Sequence, residues 1–520
     1  MSWDELFRFR GGDAKLSYYE AILNGEERPQ LADTYPGLFD LPLAIFRRSF
    51  SGGDLVKATE QGHVWSLFFG LVGIFATWRL AALLGGERAG FWALVFLATM
   101  PRYYGHMFFN PKDIPFAATY MLALLALAHV LKQLPKFPSW RSVLWVGLTA
   151  GLALSTRMAG LLILFYFAIL ISSFLVGKYF HLLKREREIH FKKLGQDLLA
   201  WAKRGALAGA IAYLILLIFW PAGHVNPFSS LSGAVGSAQS FGWSGLVLMD
   251  GHLWKAQDLP SYYMIYWLLV ALPEHIVVLL ALSGIAFLLA FWLTLKNRNA
   301  PVSMFFWPRV LLALACVFPL TYMLIKQPVL YDGLRHFLFL LPVFACAAAL
   351  ALEWLLRKIS RKRMNAMIQG VLVILSLLLA AEMTALHPYQ YIYFNSFSGG
   401  LPAALNRDET DYWGVTHREA ALWLNEYIEQ TDSKGTRPKK VYMSYTPWML
   451  DTYLNKRFEI THKIEEGDFA VAITRMNFHK PLMQFAEILH VVERRNVPLC
   501  YIFKIPDDIR FVDASEAPPK

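Results

Sequence analysis

The sequence predicts a multi-pass α-helical membrane protein of about ten spanning helices, followed by a small soluble α/β domain. Three observations lead there. Of the 520 residues, 56% are hydrophobic and only 17% are charged, a balance unlike that of a soluble chain of this length. Several windows of about 17 to 22 residues carry almost no charge, the length needed to cross about 30 Å of hydrocarbon. Lysine and arginine gather in short clusters between these windows, which is the positive-inside bias. It accounts for the net charge of +11 without nucleic acid as a partner.

Residues 1–62 read as a first external loop, polar and aromatic, with amphipathic pieces around Lys15 to Leu23 and Leu38 to Arg48. No cleavable signal peptide is expected, because the first 40 residues lack an apolar core. Residues 63–386 read as the transmembrane catalytic core, with apolar runs at 63–84, 90–101, 114–133, 141–156, 158–177, 205–221, 274–295, 309–325, 336–356 and 366–386. The long connection 222–273 is polar and aromatic. Its segment DLPSYYMIYWLLVALPE, broken by Pro260 and Pro273, reads as a helix lying at the interface, with Tyr262, Tyr263, Tyr266 and Trp267 in the aromatic belt. Residues 387–520 have the composition of a soluble external domain with a polar tail after Asp513. Strands are expected at 440–445, 469–474 and 499–504, and helices at 416–430 and 480–494. Cys316, Cys346 and Cys500 suggest no disulfide framework.

Charge at the ends of the runs sets the orientation. Connections around Arg88, 132–141, 178–204, 296–309 and 357–363 are basic and read as cytoplasmic; those around 102–113, 157, 222–273 and 326–335 read as external. Ten spans then place both ends of the chain outside. A long polar segment would have to cross with no helix in front of it, which favours a further spanning helix upstream of residue 1.

The stretch RYYGHMFFNPKDIPF, residues 102–116, reads as a polar loop caught between two apolar runs at the external surface. His106, Asn110, Lys112 and Asp113 are costly there unless they contact something. Asp113 opens a helix, so it reads either as a cap or as a second active-site carboxylate that orients an acceptor or binds a divalent metal ion. The adjacent Asp4 and Glu5 suit a general base for an acceptor hydroxyl; a solvated acidic pair is the plainer reading. Arg157 and Arg335 interrupt apolar runs on the external side, with Lys112 nearby by topology. Guanidiniums give bidentate, permanently charged contacts suited to a lipid phosphate, against the alternatives of interface anchoring or an Asp332–Arg335 ion pair. Tyr331 and His336, with His106 and Asn110, would line the same place. The external histidines lack metal-ligand spacing, and each reads more simply as an interfacial residue. The rings of 389–393 and 412–413 could stack on a sugar or belong to an interface belt.

In this order, WDELFRFRGGDAKLSYY, YPGLFDL, RYYGHMFFNPKDIPFAA, GLALSTRMAGLL, DLPSYYMIYWLL, LYDGLRHFLFLLP and DYWGVTHREAALWLN resemble bacterial membrane glycosyltransferases of the protein O-mannosyltransferase-like superfamily (family 39-like), with the GT-C fold. The resemblance implies transfer of a sugar from a polyprenyl-phosphate donor to a glycan, lipid or protein acceptor at the external face of a bacterial inner membrane. It implies that Asp4 and Glu5 supply the base, that Asp113 is the second acidic residue, and that Arg157 and Arg335 hold the donor phosphate. In that superfamily the first external loop follows a spanning helix, whereas here it begins at residue 3. The expected chemistry is a single inverting displacement, with a divalent metal as a further expectation. The rival is a transporter or lipid flippase, which calls for polar residues at mid-depth in the spans. These spans are clean at mid-depth. The absence of any N-x-S/T acceptor site agrees with a bacterial membrane.

Overall fold

The computed structural model describes residues 1–31, 35–186, 191–239, 242–296, 304–433, 435, 437–443 and 445–507. The first segment forms two helices, α1 (Glu5–Asn24) and α2 (Asp40–Phe50). Then come α3 (Leu55–Gly85), α4 (Glu87–Ala98), α5 (Pro101–Phe109), α6 (Asp113–Lys132), α7 (Trp140–Leu154), α8 (Leu161–Glu186) and α9 (Phe191–Phe219). After α10 (Pro227–Gln239) and α11 (Tyr263–Ala271), the helices α12 (Glu274–Lys296), α13 (Phe306–Lys326), α14 (Leu340–Lys358) and α15 (Lys362–Ala385) complete the apolar part.

Each of the ten apolar runs read from the sequence is largely helical. Among the described residues, seven helices are long and apolar enough to cross a membrane: α3, α6, α8, α9, α13, α14 and α15. Apolar stretches of α7 and α12 are shorter. The run at 90–101 is α4, whose twelve residues span about 18 Å and fall short of a crossing. Its continuation α5 restarts at Pro101, where a helix needs no amide hydrogen, and carries the chain further along α3. Gly90 packs on Trp78 near the end of α3, whereas Met107 packs on Gly70 nearer its beginning. The chain is a multi-pass integral membrane protein.

The structure corrects four expectations. Residues 102–113 are largely the helix α5, and its Arg102 and His106 are fully buried. The connection 222–273 holds a β-hairpin, β1 (Leu246–Met249) and β2 (His252–Lys255), turning on Asp250 and Gly251 with φ of 51° and 76°. An Asp-Gly pair with two positive φ values matches the right-handed twist of paired strands. α11 buries Tyr263 and Trp267 in the core and exposes Tyr262, so only part of the expected belt faces outward. The expected helix at 480–494 is one short turn, His479–Leu482, followed by a strand.

That strand belongs to the C-terminal sheet. β3 (Lys439–Met443), β4 (Phe458–Thr461), β5 (Phe469–Ile473), β6 (Glu487–Arg494) and β7 (Val497–Lys504) lie in the order β4-β3-β5-β7-β6. The first three are mutually parallel, and β7 and β6 add antiparallel. Arg495 and Asn496 turn β6 into β7 with φ of 54° and 58°, the same twist-matched geometry. Helix α16 (Gly400–Ala404) and α17 (His417–Thr431) connect this sheet to α15. One continuous core runs from the apolar helices through Tyr412 and Trp413 to Val471 and Ile502.

Candidate active site

The end of α5, the start of α6, the end of α7 and the turn before α14 meet beneath the C-terminal sheet. Asn110 sets the local geometry. Its amide oxygen accepts the backbone N–H groups of Lys112 (3.2 Å) and Asp113 (2.8 Å), so Asn110 does the capping that Asp113 had been a candidate for. Its amide nitrogen donates to Asp113 Oδ2 at 3.0 Å and lies 3.1 Å from His106 Nδ1. Relieved of capping, the Asp113 carboxylate accepts from Arg157 Nη2 on one oxygen and from Arg335 Nε (3.1 Å) on the other.

Arg335 is the hub. The turn before it, Asp332-Gly333, holds both residues at positive φ, 59° and 61°. Glycine adopts this at little cost and aspartate tolerates it. A Cβ at 333 would meet Trp267 and Arg102 only at ordinary contact distance, so the positive φ, not space, favours glycine there. The guanidinium so delivered donates to Asp4 through Nη2, to Asp332 through Nη1 (3.1 Å) and to Asp113 through Nε. The rings of Trp3 and Trp413 lie against it, their centroids 5.0 and 4.6 Å from its central carbon. Arg335, expected from the sequence to hold the donor phosphate, spends one N–H of each nitrogen on a carboxylate in this structure. Asp4, Asp113, Arg157, Arg335, His106 and Asn110, spread over some 330 positions, converge.

Three other expectations part from this cluster. Glu5 turns away from Asp4, accepting the Ser2 backbone N–H and lying 3.0 Å from His63 Nε2. Burial works against its charge, but His63 overrides this and holds Glu5 below the usual carboxylate range. Lys112 lies over the Tyr35 ring at 4.4 Å, with no carboxylate partner among the described residues, beside a cavity of about 10 Å³ that Arg8, Tyr35 and Thr156 also line. Burial acts to raise the Tyr35 hydroxyl, yet Lys112 and Arg157 pull it below its ordinary range, a sign of positive potential. Tyr331 stays at the margin, 5.5 Å from the Arg335 guanidinium and edge-on to His336 at 4.7 Å. Burial, with Arg335 and Arg157 nearby, pushes the His336 imidazole down to about 3, so it is neutral at pH 7.

The residues that sequence reasoning missed come mostly from the C-terminal half. Arg475, in the turn after β5, donates to Asp332 Oδ1 at 2.7 Å and to the Tyr412 carbonyl at 2.5 Å. Its Nε lies 3.7 Å from Glu409 Oε2. The Tyr412 hydroxyl lies 2.9 Å from His106 Nε2 and accepts from Arg102 Nη1 at 3.3 Å. Tyr412 and Trp413 are fully buried against these groups, so they are core rather than belt or open sugar platform. The signal was an Arg inside FAVAITRMN, directly after a wholly apolar strand, where a charge must find a partner.

Among the described residues, no three of His, Cys, Asp and Glu are arranged to hold a metal ion. Asp4, Asp113 and Asp332 converge on the guanidinium of Arg335.

Residues 57–191 match the family model described as dolichyl-phosphate-mannose-protein mannosyltransferase, a stretch that holds Asp113 and Arg157. Two of the motifs that carry the resemblance, RYYGHMFFNPKDIPFAA and GLALSTRMAGLL, fall within it. No curated protein matches the chain. The chain is similar to ArnT from Cupriavidus metallidurans, apo (13% identity, covering 96% of this chain and 93% of that one, TM-score 0.42). The same protein bound to undecaprenyl phosphate gives 13% identity, 96% and 94% coverage and a TM-score of 0.44. Archaeal oligosaccharyltransferase AglB from Archaeoglobus fulgidus, in complex with an inhibitory peptide and a dolichol-phosphate, gives 13% identity, 89% and 61% coverage and a TM-score of 0.48.

Proposed function

We propose that this chain is a GT-C-type membrane glycosyltransferase that moves a sugar from a polyprenyl-phosphate donor to an acceptor hydroxyl at the external membrane face, with inversion. The observation that carries the reading is the convergence of Asp4 and Asp113 with Arg157 and Arg335 at one end of the helices. The family model over residues 57–191 supports the donor class. In the step, Asp4 takes the acceptor proton as the acceptor oxygen forms a bond to the anomeric carbon. The bond from that carbon to the phosphate oxygen breaks, and polyprenyl phosphate leaves with the electron pair. Attack opposite the leaving group in one displacement gives inversion.

The roles divide by what each group has left to offer. Arg335 aims the Asp4 carboxylate and is a positioning residue. Arg157 spends one nitrogen on Asp113, and its buried Nε has no hydrogen-bond partner, so it keeps a donor for a phosphate oxygen. Lys112, beside it and unmatched by a carboxylate, supplies the second positive charge as the phosphate departs.

The test is release of polyprenyl phosphate from a panel of polyprenyl-phospho-sugars by the purified chain with an acceptor extract. Wild type should release it with one sugar, and Asp4→Asn should lower the rate by about 10²- to 10⁴-fold, the usual worth of a general base. Equal release by Asp4→Asn would remove Asp4 from the mechanism. No release by wild type would favour transport instead.

A further inference from the structure

At the opposite ends of the same helices lies a cavity of about 490 Å³ that the transfer reaction does not use. It forms where α3 and α14 end, α6 ends and α13 begins. Arg79, Lys132, Arg309 and Arg357 line it, against the single carboxylate of Glu87. Two of these cations are held by helix-end carbonyls. Arg309 Nη2 donates to Leu84 O at 3.1 Å and Arg357 Nη2 to Gly85 O at 2.7 Å. Such contacts fix the guanidiniums without neutralising them. Arg357 also pairs with Glu353 (2.6 Å), which Arg88 shares. Arg79 lies over the Trp78 ring at 5.3 Å and Lys132 over the Phe305 ring at 5.1 Å, and neither has a carboxylate partner among the described residues.

Scattered basic residues follow from the positive-inside bias alone, each free in solvent. A preformed cavity with two guanidiniums anchored in place is a stronger demand for an anion. Its other wall is apolar, made by Ala82, Leu83 and Phe305, and it opens where four membrane helices end. A free anion has no use for that wall. An acyl chain lies against it when the phosphate sits among the cations.

We infer that this cavity binds the phosphate headgroup of an anionic membrane lipid, on the membrane face opposite the candidate active site. The experiment is native mass spectrometry of the full chain in detergent, titrated with phosphatidylglycerol, with phosphatidylcholine and inorganic phosphate as separate arms. Phosphatidylglycerol should bind in preference to both. The double variant Arg79→Gln, Lys132→Gln should bind it at least about tenfold more weakly. Arg309→Gln should weaken it independently. Polyprenyl-phosphate release and unfolding temperature should stay at the wild-type level in the double variant, because neither residue supports the fold or the transfer site. Unchanged phosphatidylglycerol affinity in both variants would overturn the inference, since the lipid would then be bound elsewhere. Equal affinity for inorganic phosphate would also overturn it, because the ligand would then be a free anion.

Discussion

Arg157 and Glu409 carry opposite kinds of charge problem, and each yields a test. Arg157 is committed to Asp113 by one nitrogen and holds another in reserve. Lysine would keep the charge but has no planar fork with which to reach a carboxylate and a phosphate together. Arg157→Lys should therefore raise the KM for the donor about tenfold, the worth of one hydrogen bond to a charged group. Initial rates against donor concentration measure this, and an unchanged KM would take Arg157 off the phosphate. Glu409 is fully buried, with the Leu248 amide at 3.2 Å and Arg475 too distant for a hydrogen bond. Burial pushes its carboxyl up to about 7, against the opposing effect of Arg475. Between its unfolded value of about 4.3 and 7, the folded chain keeps a proton that the unfolded chain has lost. Stability should therefore fall as pH rises through that window and level off above it. Glu409→Gln should flatten this component when unfolding temperatures are compared at pH 5 and pH 8. Parallel profiles for wild type and variant would show that Glu409 does not titrate there.

At the scale of elements, legibility follows the range of the signal. The ten apolar runs were readable because each needs only its own composition to demand a helix. The sheet was half readable. β5 and β7 are short apolar runs, but β6 looks amphipathic at helical spacing, and only the turn at Arg495 and Asn496 makes it a strand. Asp250-Gly251 was the clearer hairpin signal, obscured by the aromatic stretch around it. In the site, Asp4, Asp113, Arg157 and Arg335 were legible as charges at the ends of apolar runs. Their bonding was not, because a sequence does not say which acid meets which base. α5 was read as a loop because its polar residues looked exposed; Arg102 and His106 are buried against residues some 290 to 310 positions away. That closeness depends on Gly105, where an added Cβ would meet the Tyr391 backbone nitrogen at 2.5 Å. Gly105→Ala should cost about 1–3 kcal/mol, as overpacking does, and lower the unfolding temperature. An unchanged temperature would mean that residues 390–391 can move away without loss.

At the scale of the whole molecule, charge is divided between two ends. Acids and bases at the candidate active site bond to one another in burial, whereas the opposite end presents cations with few partners. The spans between are apolar at mid-depth, where a transporter calls for polar residues. This arrangement gives the C-terminal domain a part in the site rather than a place beside it. Arg475 reaches from the turn after β5 to Asp332, and Asp332 also receives Arg335, which aims Asp4. Three charged groups, Arg475, Asp332 and Arg335, thus tie the sheet to the proposed base. Removing one partner of a buried set leaves the others uncompensated, at a cost of about 3–5 kcal/mol. Arg475→Met keeps the bulk and drops the charge, so it should lower the unfolding temperature and reduce transfer together. Arg475→Lys, which keeps the charge without the fork, should recover much of the stability and less of the transfer, because Asp332 would be neutralised but not held in line. Unfolding temperature and polyprenyl-phosphate release, measured side by side on the two variants, separate these outcomes. If Arg475→Met lowers stability and leaves release per folded molecule intact, the domain supports the fold only, and the chain from Arg475 to Asp4 has no part in transfer.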